Sequence, residues 1–276
     1  MNSFWGALAW ATGGSADSAH GAGTDGSLEI VILGTGAGTT CVYGGERSSS
    51  FVVLLRGEPV LLADVGYGAT AACVAAVGRV PPALYVSHNH SDHAGELPVV
   101  LSVESTAAAA AGRGPPTVYS HPDVMEELKQ HRLRELRSTG KPLESFGAFL
   151  VTPGGAKTAV GATGLHVRPH RSKHSETCFG FVLYRGSKAV LGWTADSGYC
   201  EELYSALAEA PLVLLDARAQ GSAEHAGFDD LARIAALPAM KDRSIYVTGY
   251  GLQNQAPQGL DVKGVTVARP GMRLTL

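Results

Sequence analysis

The chain has 276 residues, 45% of them hydrophobic and 17% charged, with a formal net charge of -3. That length buries most of the surface an unfolded chain exposes, and the composition excludes disorder over most of it. The basic excess that a nucleic-acid binder uses to neutralise phosphates is absent, so a small-molecule substrate is favoured over a large polyanion and no nucleic-acid partner is expected.

The first 27 residues open with a short apolar patch without a positive n-region, and from Gly13 to Ser27 they are rich in Gly, Ala, Ser and Asp. They read as a flexible extension ahead of a single domain spanning 28–276. No run approaches the roughly 18 apolar residues that a membrane span needs. Cys41, Cys73, Cys178 and Cys200 are scattered without a C-x-x-C pair, which signals neither a disulfide framework nor a thiolate zinc site and fits a reducing, cytoplasmic compartment.

Apolar runs predict strands at LEIVIL (28–33), SFVVLLR (50–56), PVLLAD (59–64), ALYVS (83–87), TVYS (117–120), GLHVRP (164–169), CFGFVLY (178–184), KAVLGWT (188–194), PLVLLD (211–216) and SIYVTG (244–249). Helices are expected over about 68–77, 95–110, 122–137, 200–209 and 228–237, with Pro122 in a first turn and Asp229 and Asp230 at the start of the last. Strands dominate both halves, each with its own helices. The fold class is therefore α/β: two sheets packed together with helices outside, made of two similar halves without an evident sequence repeat.

The strand ALYVS runs into SHNHSDHAGELP (87–98). His88 and His90, two apart in extended chain, point to the same side and can reach one ion, while Asp92 and His93, past the turn, can face a second position. A carboxylate beside neutral imidazoles suits zinc, and also iron or manganese. A solvated turn does not need this combination.

The H-x-H-x-D-H pattern resembles the metallo-β-lactamase superfamily. LEIVILGTGAGTT is similar to the first strand and turn of its ribonuclease Z and small phosphodiesterase branch, and LLADVGYGA to its strand that ends in an aspartate before a glycine. GTGAGT lacks the third glycine of a dinucleotide loop, so a Rossmann reading is discarded. The resemblance implies a four-layer αββα sandwich of two mixed sheets with outer helices. It implies one or two ions, zinc first, with Asp64 orienting the metal loop rather than ligating. It assigns His174, in KHSETCFGFVLY, as the third ligand beside His88 and His90, with His170 the competitor. Asp196, in VLGWTADSGY, becomes the carboxylate bridging both metals at roughly 3.5–4 Å separation.

One departure stands out. The branch follows a late strand with Thr-His, the last ligand of the second metal, where this chain reads SIYVTGYGL with Gly249 in that place. Asp92, His93 and Asp196 would remain, and His225, Tyr250, Gln253 and Asn254 are the nearby candidates to fill the gap. The same branch pairs a strand-end carboxylate with a histidine that protonates the leaving oxygen. LLDARAQGSAEHAGFDDL is similar, with Asp216 orienting His225, although His225 could equally be a surface histidine and Asp216 a loop cap.

His20, His121, His131 and His166 read as ordinary polar positions, and MEELKQHRLRELR as a solvated amphipathic helix at one edge of the site, with Arg132, Arg134 or Arg137 available to an anionic substrate. The basic arm of the tRNA-processing members is missing. The resulting expectation is a metal-dependent hydrolase in which the metal lowers the pKa of bound water from about 15.7 to about 7. Asp92 orients the nucleophile and His225 is the general acid. A small phosphodiester or cyclic nucleotide is the first substrate class, and an ester, lactone, thioester or amide the alternative. A non-hydrolytic metal protein is the third reading. The Ala-rich helix after Ser105 is compatible with a homodimer.

Overall fold

The computed structural model describes residues 26–251 and 261–276. Nearly all of the expected N-terminal extension, with His20, Gln253 and Asn254, lies outside them. β1 (Leu28–Gly34), β2 (Ser50–Leu55) and β3 (Glu58–Ala63) form an antiparallel meander, which β4 (Ala83–Tyr85), β5 (Thr117–Ser120) and β6 (Ala148–Val151) continue as parallel neighbours. The second sheet repeats that plan. β7 (Thr158–Ala159), β8 (Leu165–Arg171), β9 (Phe179–Arg185) and β10 (Lys188–Trp193) pair antiparallel. β11 (Leu212–Arg218), β13 (Ser244–Thr248) and β14 (Val265–Val267) then follow in parallel, with β12 (Ala226–Gly227) beside β11. β15 (Arg273–Thr275) returns to the free edge of β1.

Period-two alternation sorts each strand between two apolar layers, which is why the strands read as unbroken hydrophobic runs. Ile30, Ile32, Phe51, Val53, Phe181, Leu183, Trp193 and Leu214 meet between the sheets. Val31, Leu33, Val52 and Leu54 face outward onto α2 (Ala69–Val77) and α4 (Leu97–Ala110). On the far side Val182, Tyr184, Val213 and Leu215 pack under α7 (Glu201–Leu207) and α8 (Leu231–Ala236). The expected αββα order of layers is thus present. Tyr85, Phe181 and Trp193 lock its centre, with ring centroids 4.7 Å apart for Tyr85–Phe181 and 5.2 Å for Phe181–Trp193.

Two expectations need correction. The glycine-rich turn after β1 opens a short helix, α1 (Gly38–Gly44), whose Gly and β-branched content gave no helical signal. The continuous helix over 122–137 is instead α5 (Pro122–Glu127), a π turn over 128–132 and α6 (Arg134–Arg137), a break beside which Arg132 reaches Asn89 and Ser91 of the histidine-rich loop. α3 (Ser91–Ala94) is the single turn inside that loop. No helix among the described residues is long and apolar enough to cross a membrane.

The two halves also share a short sequence that only their superposed topology brings out. β3 and β10, each the last antiparallel strand before its sheet turns parallel, both lead into Ala-Asp-x-Gly-Tyr, at Ala63–Tyr67 and Ala195–Tyr199. Each copy seats the loop that follows the next parallel strand. Val65 N donates to His93 O at 2.8 Å, and Ala226 N donates to Ser197 O at 2.8 Å. Gly66 and Gly198 let the backbone carbonyls of Asp92 and Ala223 approach so closely that a Cβ at either glycine would overlap them. Gly66→Ala should therefore cost about 2 kcal/mol or more in a urea titration, whereas Gly114→Ala, where a Cβ meets nothing within 4 Å, should stay within about 0.5 kcal/mol of the parent.

Candidate metal centre

The charged and imidazole groups singled out by the sequence gather where β3, β4, β10, β11 and β13 end, the edge at which parallel sheets present their loops. Asp64, fully buried in a left-handed conformation at φ 62°, organises them. Its Oδ1 accepts from Ser87 N at 2.8 Å, and its Oδ2 accepts from the Ser87 hydroxyl at 2.8 Å and faces His93 Nδ1 at 2.6 Å. A serine hydroxyl has one proton, here given to Asp64, so Ser87 Oγ can only accept from His88 Nδ1, 2.9 Å away. That fixes a lone pair on His88 Nε2. This nitrogen is buried and has no partner among the described residues.

One ligand atom from each of His88, His90 and His174 lies within 4.8 Å of the others, and the same holds for His88, His93 and Asp196 and for His174, Asp196 and His225. His174 Nε2 faces His90 Nδ1 at 3.2 Å. His93 Nε2 faces Asp196 Oδ1 at 3.2 Å and Asp92 Oδ2 at 3.8 Å. Burial and the neighbouring His93 charge hold His88 well below the usual imidazole range, in the neutral form that ligates. Burial opposes a charge on His93 too, but Asp196 and Asp64 outweigh it and hold its pKa well above the ordinary value. The converging imidazoles, the orphaned His88 Nε2 and the shared carboxylate suit a divalent ion.

His174 and Asp196 join the cluster; His170 does not. The His170 ring lies on β8, where its Nε2 accepts from Arg168 Nε at 3.2 Å. His121 stacks on Phe179 with 3.7 Å between ring centroids, and His131 pairs with Glu127 one helical turn away. Arg132 is not held out toward solvent: it donates to Asn89 Oδ1, Asn89 O and the Ser91 hydroxyl at 3.1, 2.6 and 3.3 Å, bracing the loop from outside. The expected substrate grip at this arginine gives way to that bracing role. Glu224, which no sequence pattern marked, sets His174. His174 Nδ1 lies 3.2 Å from Glu224 O and 3.3 Å from its carboxylate, which also accepts from Ser175 N.

Gly249 sits beside Asp216 with φ 76°, and a Cβ there would fall on Asp216 Oδ1. A histidine at this position would be strained by the backbone and would have to displace the Asp216 carboxylate. Tyr250 does not fill the gap either, because its hydroxyl donates to Ala268 O at 2.5 Å. His225 is the candidate that reaches the cluster. Its Nδ1 lies 2.7 Å from Asp216 Oδ2 and 3.9 Å from Asp196 Oδ2. Asp216 Oδ2 also accepts from Ser197 N at 3.0 Å, and burial together with the Asp196 charge raises its pKa.

A family model described as anti-Pycsar protein Apyc1 matches residues 28–267. No curated protein matches the sequence. Among solved structures, the chain is similar to the metallo-beta-lactamase fold protein YhfI from Bacillus subtilis, with a TM-score of 0.68 and 17% identity over 90% of this chain and 99% of that one. It is similar to unliganded yeast PDE1 at a TM-score of 0.67 and 13% identity, covering 91% and 100% of the two chains. Human tRNase Z, short form, follows the same course at 0.63 and 18%, covering 89% and 98%. At these identities the likeness establishes the metallo-β-lactamase fold that the SHNHSDH loop implied.

Asp64→Asn, which replaces one of the two accepting oxygens that orient His93 and Ser87 with an NH2 donor, should weaken metal binding roughly 10–100-fold in a chelator competition. Because the metal must displace the proton held on His93, binding should also release protons and tighten as pH rises through neutrality, read by calorimetry in two buffers. Gly249→His should add no ion per chain by plasma mass spectrometry and should lower stability by about 1–3 kcal/mol.

Proposed function

The chain belongs to the anti-Pycsar Apyc1 family, and from that membership we propose that it is a metal-dependent hydrolase of a small phosphodiester, first of all a cyclic nucleotide. The observation that carries this reading is His225, steadied on Asp216 at 2.7 Å while one of its ring nitrogens keeps within 4.8 Å of His174 and Asp196 donor atoms. An acid held on a buried carboxylate beside a metal centre is what cleavage of a P–O bond with a poor alkoxide leaving group requires.

In this reading His88, His90 and His174 would hold one divalent ion, zinc in first place with manganese or iron as alternatives. Asp92 and His93 would serve a second, with the Asp196 carboxylate available to either. Such an ion supplies Lewis acidity toward phosphoryl oxygen and acidifies water. Asp92, at the mouth of the loop beside Gly38, orients the attacking water in line with the ester bond. His225 keeps Nδ1 toward Asp216 and gives its Nε2 proton to the departing ribose oxygen, so that the cyclic ester opens to a phosphomonoester. Gly38 brings the first turn against the Asp92 carboxylate without a side chain of its own.

A second reading, hydrolysis of an ester, lactone, thioester or amide, draws support from Gly249, which removes a nitrogen from the second position and leaves a centre suited to one ion.

Purified protein loaded with zinc or manganese should open 2′,3′- or 3′,5′-cyclic nucleotides and lose that activity to a chelator. His225→Ala should lower kcat on these substrates by roughly 10²–10³, and far less on bis(p-nitrophenyl) phosphate, whose phenolate needs no proton. Turnover of p-nitrophenyl esters or lactones by the loaded protein, with every phosphodiester untouched, would instead establish the second reading.

A further inference from the structure

Arg218 ends β11 two residues after Asp216 and points into the same cluster. Its guanidinium carries two N–H groups on one edge, Nε and Nη2, the edge that pairs with two oxygens of a phosphate or carboxylate. Here Nη2 approaches Asp196 Oδ2 at 3.6 Å, beyond hydrogen-bond length, and Nε is buried with no partner among the described residues. A buried donor of a charged group left unpaired costs stability unless something fills it in the working state. The side chain is 24% exposed, against 6% for Asp196, so part of it reaches solvent beside that buried carboxylate while its Nε lies inside. Arg132, by contrast, has its donors engaged by the metal loop.

We propose that Arg218 is a substrate-binding residue whose Nε and Nη2 edge receives the non-bridging oxygens of the scissile phosphodiester and, after cleavage, the phosphomonoester product. The geometry gives this fork a second consequence. In a site whose second metal position lacks the nitrogen of residue 249, Arg218 supplies a permanent positive charge on the side of Asp196 away from His93. The charge draws a compact anion to the acid pair rather than a neutral ester.

This inference rests on the phosphodiester reading, and its test separates the two. Zinc-loaded parent, Arg218→Met and Arg218→Lys are compared for metal per chain, for calorimetric affinity toward inorganic phosphate, and for KM and kcat on a 3′,5′-cyclic nucleotide. The expected result is unchanged metal, with phosphate affinity weakened and KM raised roughly tenfold or more in Arg218→Met, and partial recovery in the lysine variant, which keeps the charge but not the fork. Phosphate affinity within twofold of the parent in Arg218→Met overturns the proposal. So does loss of metal along with affinity, which would make Arg218 a support for Asp196. A parent that opens no cyclic nucleotide, yet binds phosphate in an Arg218-dependent way, upholds the fork and sinks the reaction.

Discussion

One buried carboxylate sets the protonation pattern on which the candidate centre depends. Asp64 receives Ser87 N, the Ser87 hydroxyl and His93 within 2.8 Å, and through the hydroxyl it governs His88 as well. Burying an ionised carboxylate is costly unless each lone pair is met, and here the partners that meet it are the residues the centre needs oriented. The same interaction that makes Asp64 tolerable turns His88 Nε2 and His93 Nε2 inward. The left-handed backbone at Asp64, φ 62°, is part of the arrangement, a strained conformation held by the partners of its carboxylate.

That device has a counterpart in the other half of the molecule. The second Ala-Asp-x-Gly-Tyr segment places Ala195, not the aspartate, in the left-handed region, at φ 51°. The one-residue offset turns Asp196 toward the metal donors while Ser197 N holds Asp216. Each half thus uses a glycine to dock the loop beyond its next parallel strand: the histidine loop in the first, the His225 loop in the second. The site sits at the joint of two related frames, one bringing His88 to His93, the other His174, Asp196, Asp216, Arg218 and His225. A cluster assembled from both halves needs the inter-sheet packing of Phe51, Phe181 and Trp193 to keep its register.

The sequence disclosed most where structure is local. The H-x-H-x-D-H spacing sits in a single loop, and strands buried on both faces read as long apolar runs, so both were legible. His174 and Asp196 became legible only through resemblance, because nothing in their neighbourhoods specifies a contact with residue 88 or 90. Glu224 and Ser87 were silent for a related reason: each acts by orienting another residue, and such a role leaves no mark in composition. The edge strand β15, Arg-Leu-Thr, has no apolar run because it needs cover on one side at most, and α1 is too brief and glycine-rich to show a helical period. The break in the helix over 122–137 reflects a tertiary demand, that Arg132 reach Asn89, which overrode favourable local propensity.

Gly249 is better understood from its neighbour than from the nitrogen it lacks. Asp216 Oδ1 occupies the volume a Cβ at 249 would need, and it is buried without a partner among the described residues. A histidine at 249 and an aspartate at 216 in this rotamer exclude one another. Asp216 in turn is held by Ser197 N and by His225, two residues from the second Ala-Asp-x-Gly-Tyr frame and the loop it seats. The missing side chain at 249 and the Asp216–His225 contact are therefore one packing solution. Room left by Gly249 is taken by the carboxylate that steadies His225, and Arg218 faces Asp196, whose charge beside Asp216 raises the Asp216 pKa.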